Sequence, residues 1–189
     1  GEFPELQGIM GRYYAQHEGL DDDVAFAIED HYKPRFAGDD LPRNMTGVTI
    51  ALADKLETLV GLFSIGEKPT GDKDPFALRR QALGIIRMLI EHKLPLPFTA
   101  LIESVLSVFG DSTKDTNKDK SGTIQAISEF CFDRLSVNLR ENGATPQEVD
   151  AVLSLAPALL SEVPQRLAAV RTFAALAEAP ALAAANKRV

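Results

Sequence analysis

LADKLETLVGLFSIGEKPTGDKDPFALRRQALGIIRMLI, residues 52–90, holds two amphipathic helical patterns on either side of a loop rich in Gly, Pro and Lys. In the first, Leu52, Leu56, Leu59, Leu62 and Phe63 recur at three- and four-residue steps, leaving Asp54, Glu57 and Thr58 on a polar stripe. This helix is expected to stop near Gly66. The loop over 65–73 carries Pro69, Gly66 and Gly71, ordinary turn residues. Asp74 then reads as an N-cap with Pro75 at the first helical position, and Leu78, Ala82, Ile85, Ile86 and Leu89 form the apolar face of a second helix.

The opposite face of that second helix is unusual. Arg80, Gly84 and Arg87 fall on one stripe with Arg79 beside it, so two guanidinium groups flank a position without a side chain. Composition favours a solvated helix face, with Glu91 pairing to Arg87 at four-residue spacing. The functional reading is a small basic platform for a phosphate or a partner carboxylate, because a guanidinium offers paired donors to either. Lys68 and Lys73 in the preceding loop extend that platform.

The chain has 189 residues, enough for a sizeable core in one or two domains, and an ordinary soluble composition. No apolar run approaches a membrane span, and Gly1, Glu2 and Phe3 do not open a signal peptide. The single cysteine, Cys131, excludes an internal disulfide and suits the reducing cytoplasm. A formal net charge of −7 argues against broad nucleic-acid binding, so any such contact must be local.

Towards the N-terminus, Pro4, Leu6, Ile9, Met10 and Tyr13 suggest a helix, with Gly8 and Gly11 allowing a neighbour to approach closely. Asp21, Asp22 and Asp23 favour a helix start, and Val24, Ala27, Ile28 and His31 form the next stripe until Pro34. Residues 33–46 form a long polar loop, in which Arg35 and Arg43 are contact candidates or simply solvated. Past residue 97 a short helix over about 99–109 is expected to end at Gly110, followed by a polar linker over 111–122, the best domain boundary. Asn117, Asp119, Ser121, Gly122 and Ile124 imitate a calcium-binding loop, but Ser128 stands where a bidentate Glu is needed.

From Thr123, the apolar positions Ile124, Ile127, Cys131 and Leu135 describe a helix closing at Asn142 and Gly143, with Cys131 an inert core thiol. Thr145, Pro146 and Glu148 form a capping box. A further Ala- and Leu-rich helix spans about 164–178, and Pro180 separates it from ALAAANKRV, which ends in mid-pattern. The expected fold class is all-α, with one helical body over 1–110 and a second helical region over 123–189.

ADKLETLVGLFSIGEKPTGDKDPFALRRQALGIIRMLIE, FPELQGIMGRYYA and ALAAANKRV together resemble the β subunit of the bacterial heterotetrameric glycyl-tRNA synthetase, over nearly the whole chain. Those β subunits are much longer, so the chain reads as an excised internal or C-terminal piece. The resemblance implies an HD-like helical domain over 1–110 and, over 123–189, the start of a helical anticodon-binding domain. YYAQHEGLDDDVAFAIEDHY is similar to part of the HD-type phosphohydrolase fold, in which histidines and aspartates surround a metal pair, with Asp54 in the place of its last aspartate. His17, His31 and Asp54 are the only metal candidates, and the adjacent His-Asp pair that names that family is absent, so no metal is expected.

In that family the α subunit is understood to carry ATP-dependent glycine activation, and the β subunit is required for tRNA binding and charging. The resemblance therefore implies an α subunit, a second β subunit and the tRNA for glycine as partners. ATP and Mg would serve the whole enzyme, with no cofactor in this piece and no catalysis by it alone. Arg79, Arg80, Arg87, Lys68 and Lys73 are the candidate tRNA contacts. Two other classes compete: an HD-type metal-dependent phosphohydrolase and an interaction module of stacked helices.

Overall fold

The computed structural model describes residues 3–109 and 120–186. Every regular element among them is helical, in the order α1 (Ile9–His17), α2 (Asp22–Asp30), α3 (Met45–Ser64), α4 (Leu78–Glu91), α5 (Phe98–Phe109), α6 (Lys120–Glu141), α7 (Pro146–Leu153), α8 (Val163–Ala174) and α9 (Ala179–Asn186). The all-α expectation holds, and no helix among the described residues is long and apolar enough to cross a membrane.

The helices form where the periodicity places them, and the centre of the molecule is the pair read from residues 52–90. Leu52, Leu56, Leu59 and Phe63 of α3 are buried against Leu78, Ala82, Ile85, Ile86 and Leu89 of α4. On its other side α4 meets α6 and the short 3-10 turn Leu160–Glu162, so Met88 is fully buried as well. Ile127, Cys131 and Leu135 of α6, Val149 and Val152 of α7, and Val163 and Leu167 of α8 extend the same apolar cluster. The core is thus continuous between helices that precede and follow residues 110–119.

Several ends differ from expectation for identifiable reasons. The N-terminal helix does not run from Pro4. A 3-10 turn, Pro4–Leu6, gives way at Gly8, whose φ of 80° breaks the register. A Cβ there would stand 2.9 Å from the Glu29 backbone, and one on Gly11 would stand 2.7 Å from Ile28 Cγ2, so both glycines do admit α2 closely. Leu6, Met10 and Tyr13 stay partly exposed, and Ala15 is the buried residue of α1. On α2 the buried positions are Ala25, Ala27 and Asp30, while Val24 faces outward. Asp21 caps α2, accepting from the Asp23 N–H at 2.8 Å.

Asp74 caps α4 from further away than expected. Pro75 lies in a turn, Ala77 takes the N-cap position in the left-handed region, and the Asp74 carboxylate reaches over to accept from the N–H groups of Leu78 (2.7 Å) and Arg79 (3.0 Å). The stretch 120–122, expected to be linker, is the first turn of α6; the rest of that linker lies outside the described residues, as do Asn117 and Asp119 of the imitation calcium loop. Ser121 and Gly122 are helical, so that loop does not form through them. The capping box of Thr145 and Glu148 is present in both directions. α8 ends at Ala174, and Pro180 enters the first turn of α9, where a missing N–H costs nothing, rather than separating two helices.

Candidate anion-binding groove

α4 and α6 lie side by side and run the same way, because Arg80 and Leu83 border one cavity with Arg134 and Asn138, and Arg87 and Glu91 border the next with Asn138 and Asn142. The loop over 33–44 closes the third side with Phe36, Ala37 and Gly38. The two cavities, about 320 and 260 Å³, share Ala37, Leu83 and Asn138 and so form one groove.

The arginines of α4 divide into tethered and free. Arg87 donates to both carboxylate oxygens of Glu91, Nε at 2.7 Å and Nη2 at 3.4 Å, and through Nη1 to the Asp39 carbonyl at 2.8 Å. The expected pairing with Glu91 is present, and Arg87 also holds the loop over 33–44. Arg79 donates to the Gly71 carbonyl and so fastens the loop before α4. Arg80 is exposed and borders the groove, and its side chain makes no hydrogen bond or ion pair among the described residues. Facing it from α6 is Arg134, whose buried Nε has no hydrogen-bond partner.

The stripe of Arg80, Gly84 and Arg87 is not an open platform. Gly84 is buried beneath the methylenes of Lys55 and Pro34, which occupy the space a side chain would take. Lys68 and Lys73 do not line the groove. The Lys68 ammonium lies 5.6 Å from the centroid of the Phe63 ring, and Lys73 pairs backbone with Thr70 through bonds of 2.9 and 3.1 Å. Both are exposed in the loop that Arg79 fastens.

Arg35 and Arg43, candidate contacts in the sequence, are spent on internal carboxylates. Arg35 grips Asp39 through its backbone N–H (2.8 Å), Nε (2.9 Å) and Nη2 (3.0 Å), holding that carboxyl down at about 2. Arg43 does the same to the fully buried Asp30, with three contacts of 2.8 Å, and reaches Glu29 at 2.7 Å. Burial pushes Asp30 and Glu29 up, but the bonds from Arg43, with Lys33 at Asp30 and Arg12 at Glu29, outweigh it and hold both below the usual carboxylate range. These pairs fold the long loop back onto α2 and set Phe36 at the groove.

Three important residues escaped sequence reading: Lys55, Arg134 and Phe36. Lys55 is 3 % exposed in the middle of α3, and burial pushes its ammonium below the usual lysine range. It donates to the carbonyls of His31 (3.2 Å) and Tyr32 (3.4 Å). Arg134 carried a weak signal: with Asn138 and Glu141 it forms a polar row at helical spacing beside the Ile127, Cys131 and Leu135 stripe.

The metal candidates are placed separately. His17 ends α1 in solvent, His31 bonds through Nδ1 to the Ala27 carbonyl and stacks on Tyr32, and Asp54 lies on the outer face of α3. Among the described residues no group of three or more His, Cys, Asp or Glu is placed to hold a metal ion. The start of α4 is closed to phosphates, since its first N–H donors are taken by Asp74. The HD-type expectation therefore goes no further here than the helical fold class.

Fold and groove define an all-helical protein that presents unpaired guanidinium groups between two parallel helices. A profile described as glycyl-tRNA synthetase beta subunit matches residues 1–154. Over its whole length the chain is 65 % identical to the glycine–tRNA ligase beta subunit of Methylobacillus flagellatus and 66 % to that of Leptothrix cholodnii, covering 26 % of each. It is 61 % identical to that of Nitrosomonas europaea, covering 28 %. The chain belongs to the glycyl-tRNA synthetase beta subunit family. It spans about a quarter of the length of these relatives.

Proposed function

We propose that this chain is the part of a glycine–tRNA ligase β subunit that touches tRNA through the α4/α6 groove, with Arg80 and Arg134 against RNA phosphates. One observation carries the reading: the two guanidinium groups border the same groove and have no ion-pair partner among the described residues, whereas Arg35, Arg43 and Arg87 are committed to carboxylates. A guanidinium left open beside a second one is suited to phosphate. With a formal charge of −7 the contact is local, centred on this groove, with the exposed Lys68 and Lys73 as further candidates.

In this reading the chain performs no chemistry by itself. The whole enzyme attaches glycine to tRNA in the cytoplasm with ATP and magnesium, and its other members are an α subunit, a second β subunit and the tRNA for glycine. The test is Arg80→Glu against Arg87→Glu in the whole enzyme. Arg80→Glu is expected to raise KM for tRNA roughly tenfold while glycine activation without tRNA is unchanged, the loss of one charge-assisted contact being worth about 1.5–3 kcal/mol. Arg87→Glu is expected to lower stability as well, because it unfastens the loop over 33–44. Unchanged tRNA kinetics in a folded Arg80→Glu enzyme would remove the proposal.

A further inference from the structure

The groove contains features that a row of phosphates does not require. We propose that it holds one unpaired ribonucleotide of the bound RNA, its phosphate against Arg80 and Arg134 and its base against Phe36. This rests on the RNA-contact reading above and specifies what the groove recognises.

Phe36 is 57 % exposed although it lines a cavity, and Leu83 and Val137 line the same cavity. A double-stranded backbone would need only the cations. An exposed aromatic ring beside aliphatic side chains suits a base that has left its stack, since every base offers a π face to an aromatic ring. Arg134 is half-buried on the groove wall and makes no ion pair among the described residues, so its guanidinium is available to a phosphate oxygen in the groove.

The rest of the lining limits the ligand to a single unit. Glu141 lies two turns further along α6 than Arg134 and borders the same cavity, so a second phosphate there would meet a carboxylate. With Asn138 it instead offers hydrogen-bonding groups to the edge of the base. A cavity of about 320 Å³, open to a neighbour of about 260 Å³, is of the size that holds one small ligand.

The test uses the whole enzyme and the tRNA for glycine, with equilibrium binding measured across a salt series for wild type, Phe36→Ala, Phe36→Tyr, Arg80→Gln and Arg134→Gln. Phe36→Ala is expected to bind about tenfold more weakly with an unchanged salt slope, and Phe36→Tyr to bind as wild type does. Each arginine variant is expected to weaken binding and lower the slope by about one. Loss in the arginine variants with wild-type binding in Phe36→Ala would overturn the nucleotide and leave a phosphate contact. Wild-type binding in all four would overturn the RNA-contact reading itself. Guanosine monophosphate, added alone, separates the remaining source. If it binds with the same dependence on Phe36 while tRNA binding is indifferent to Phe36, the groove is a free-nucleotide site and the proposal fails.

Discussion

Lys55 of α3 lies across Gly84 of α4: a Cβ on that glycine would meet Cδ and Cε of the lysine at 3.1 Å. The glycine is the seat for the lysine's methylenes, and the seat directs the ammonium to the carbonyls of His31 and Tyr32 at the end of α2. Three helices are joined by one side chain, and the loop that carries Phe36 begins where it ends.

Gly84→Val is expected to lower unfolding stability by about 1–3 kcal/mol, the usual cost of overpacking a filled site. Removing the obstruction should recover part of that cost. In urea unfolding, Lys55→Ala combined with Gly84→Val is expected to lose about 1 kcal/mol less than the two single losses added. Strict additivity would show that the lysine is not what requires glycine there.

Asp30 is fully buried and accepts from Arg43 three times and from Lys33 at 3.1 Å. Asp30→Ala strips Lys33 of its carboxylate and leaves Arg43 with Glu29 alone. Arg43 is 41 % exposed and water can replace part of the loss, so the expected cost is about 2–3 kcal/mol, below the figure for a fully buried pair. Guanidinium unfolding measures it, and a loss under about 0.5 kcal/mol would mean that the loop is held by other contacts.

Acid should release the same loop at a second point. The Asp39 carboxyl sits at about 2 in the folded protein against 3.8 ordinarily, chiefly because Arg35 bonds to it. A depressed carboxylate contributes stability that is complete above its unfolded value and is lost as pH falls through its folded value. Amide exchange at Arg35, whose N–H donates to Asp39, is therefore expected to accelerate as pH falls from about 4 to about 2, relative to amides in α4. A carboxyl titrating near 4 would show that Arg35 does not hold it in solution.

Burial pushes the Cys131 thiol up to about 12. At pH 8 the thiolate is scarce and enclosed, so alkylation by iodoacetamide is expected to be at least about a hundredfold slower in the native protein than in urea. Comparable rates would place the α6 face outside the core.

The apolar face of α4 could be read directly from Leu78, Ala82, Ile85, Ile86 and Leu89, because burial along a helix follows its 3.6-residue period whatever the helix packs against. The Thr145 capping box could be read because both partners lie within one turn. The outward stripe could not be read the same way. Arg79, Arg80 and Arg87 are equivalent in sequence, and their difference comes from Gly71, Asp39 and Glu91, two of which belong to loops whose paths carry no period. Arg43 and Asp30 lie thirteen residues apart across a turn and the loop, beyond any local rule.

The sequence by itself determined the helices, the faces they bury, the caps at Asp21 and Thr145, and membership of the family, all of which depend on neighbours within a turn or on the string of residues as a whole. Only the tertiary structure decided which cations are free. An ion pair forms where a chain returns in space, and that return was set by the loop over 33–44 folding onto α2. It tied down Arg35, Arg43 and Arg87, left Arg80 and Arg134 facing one another, and placed Phe36 beside them.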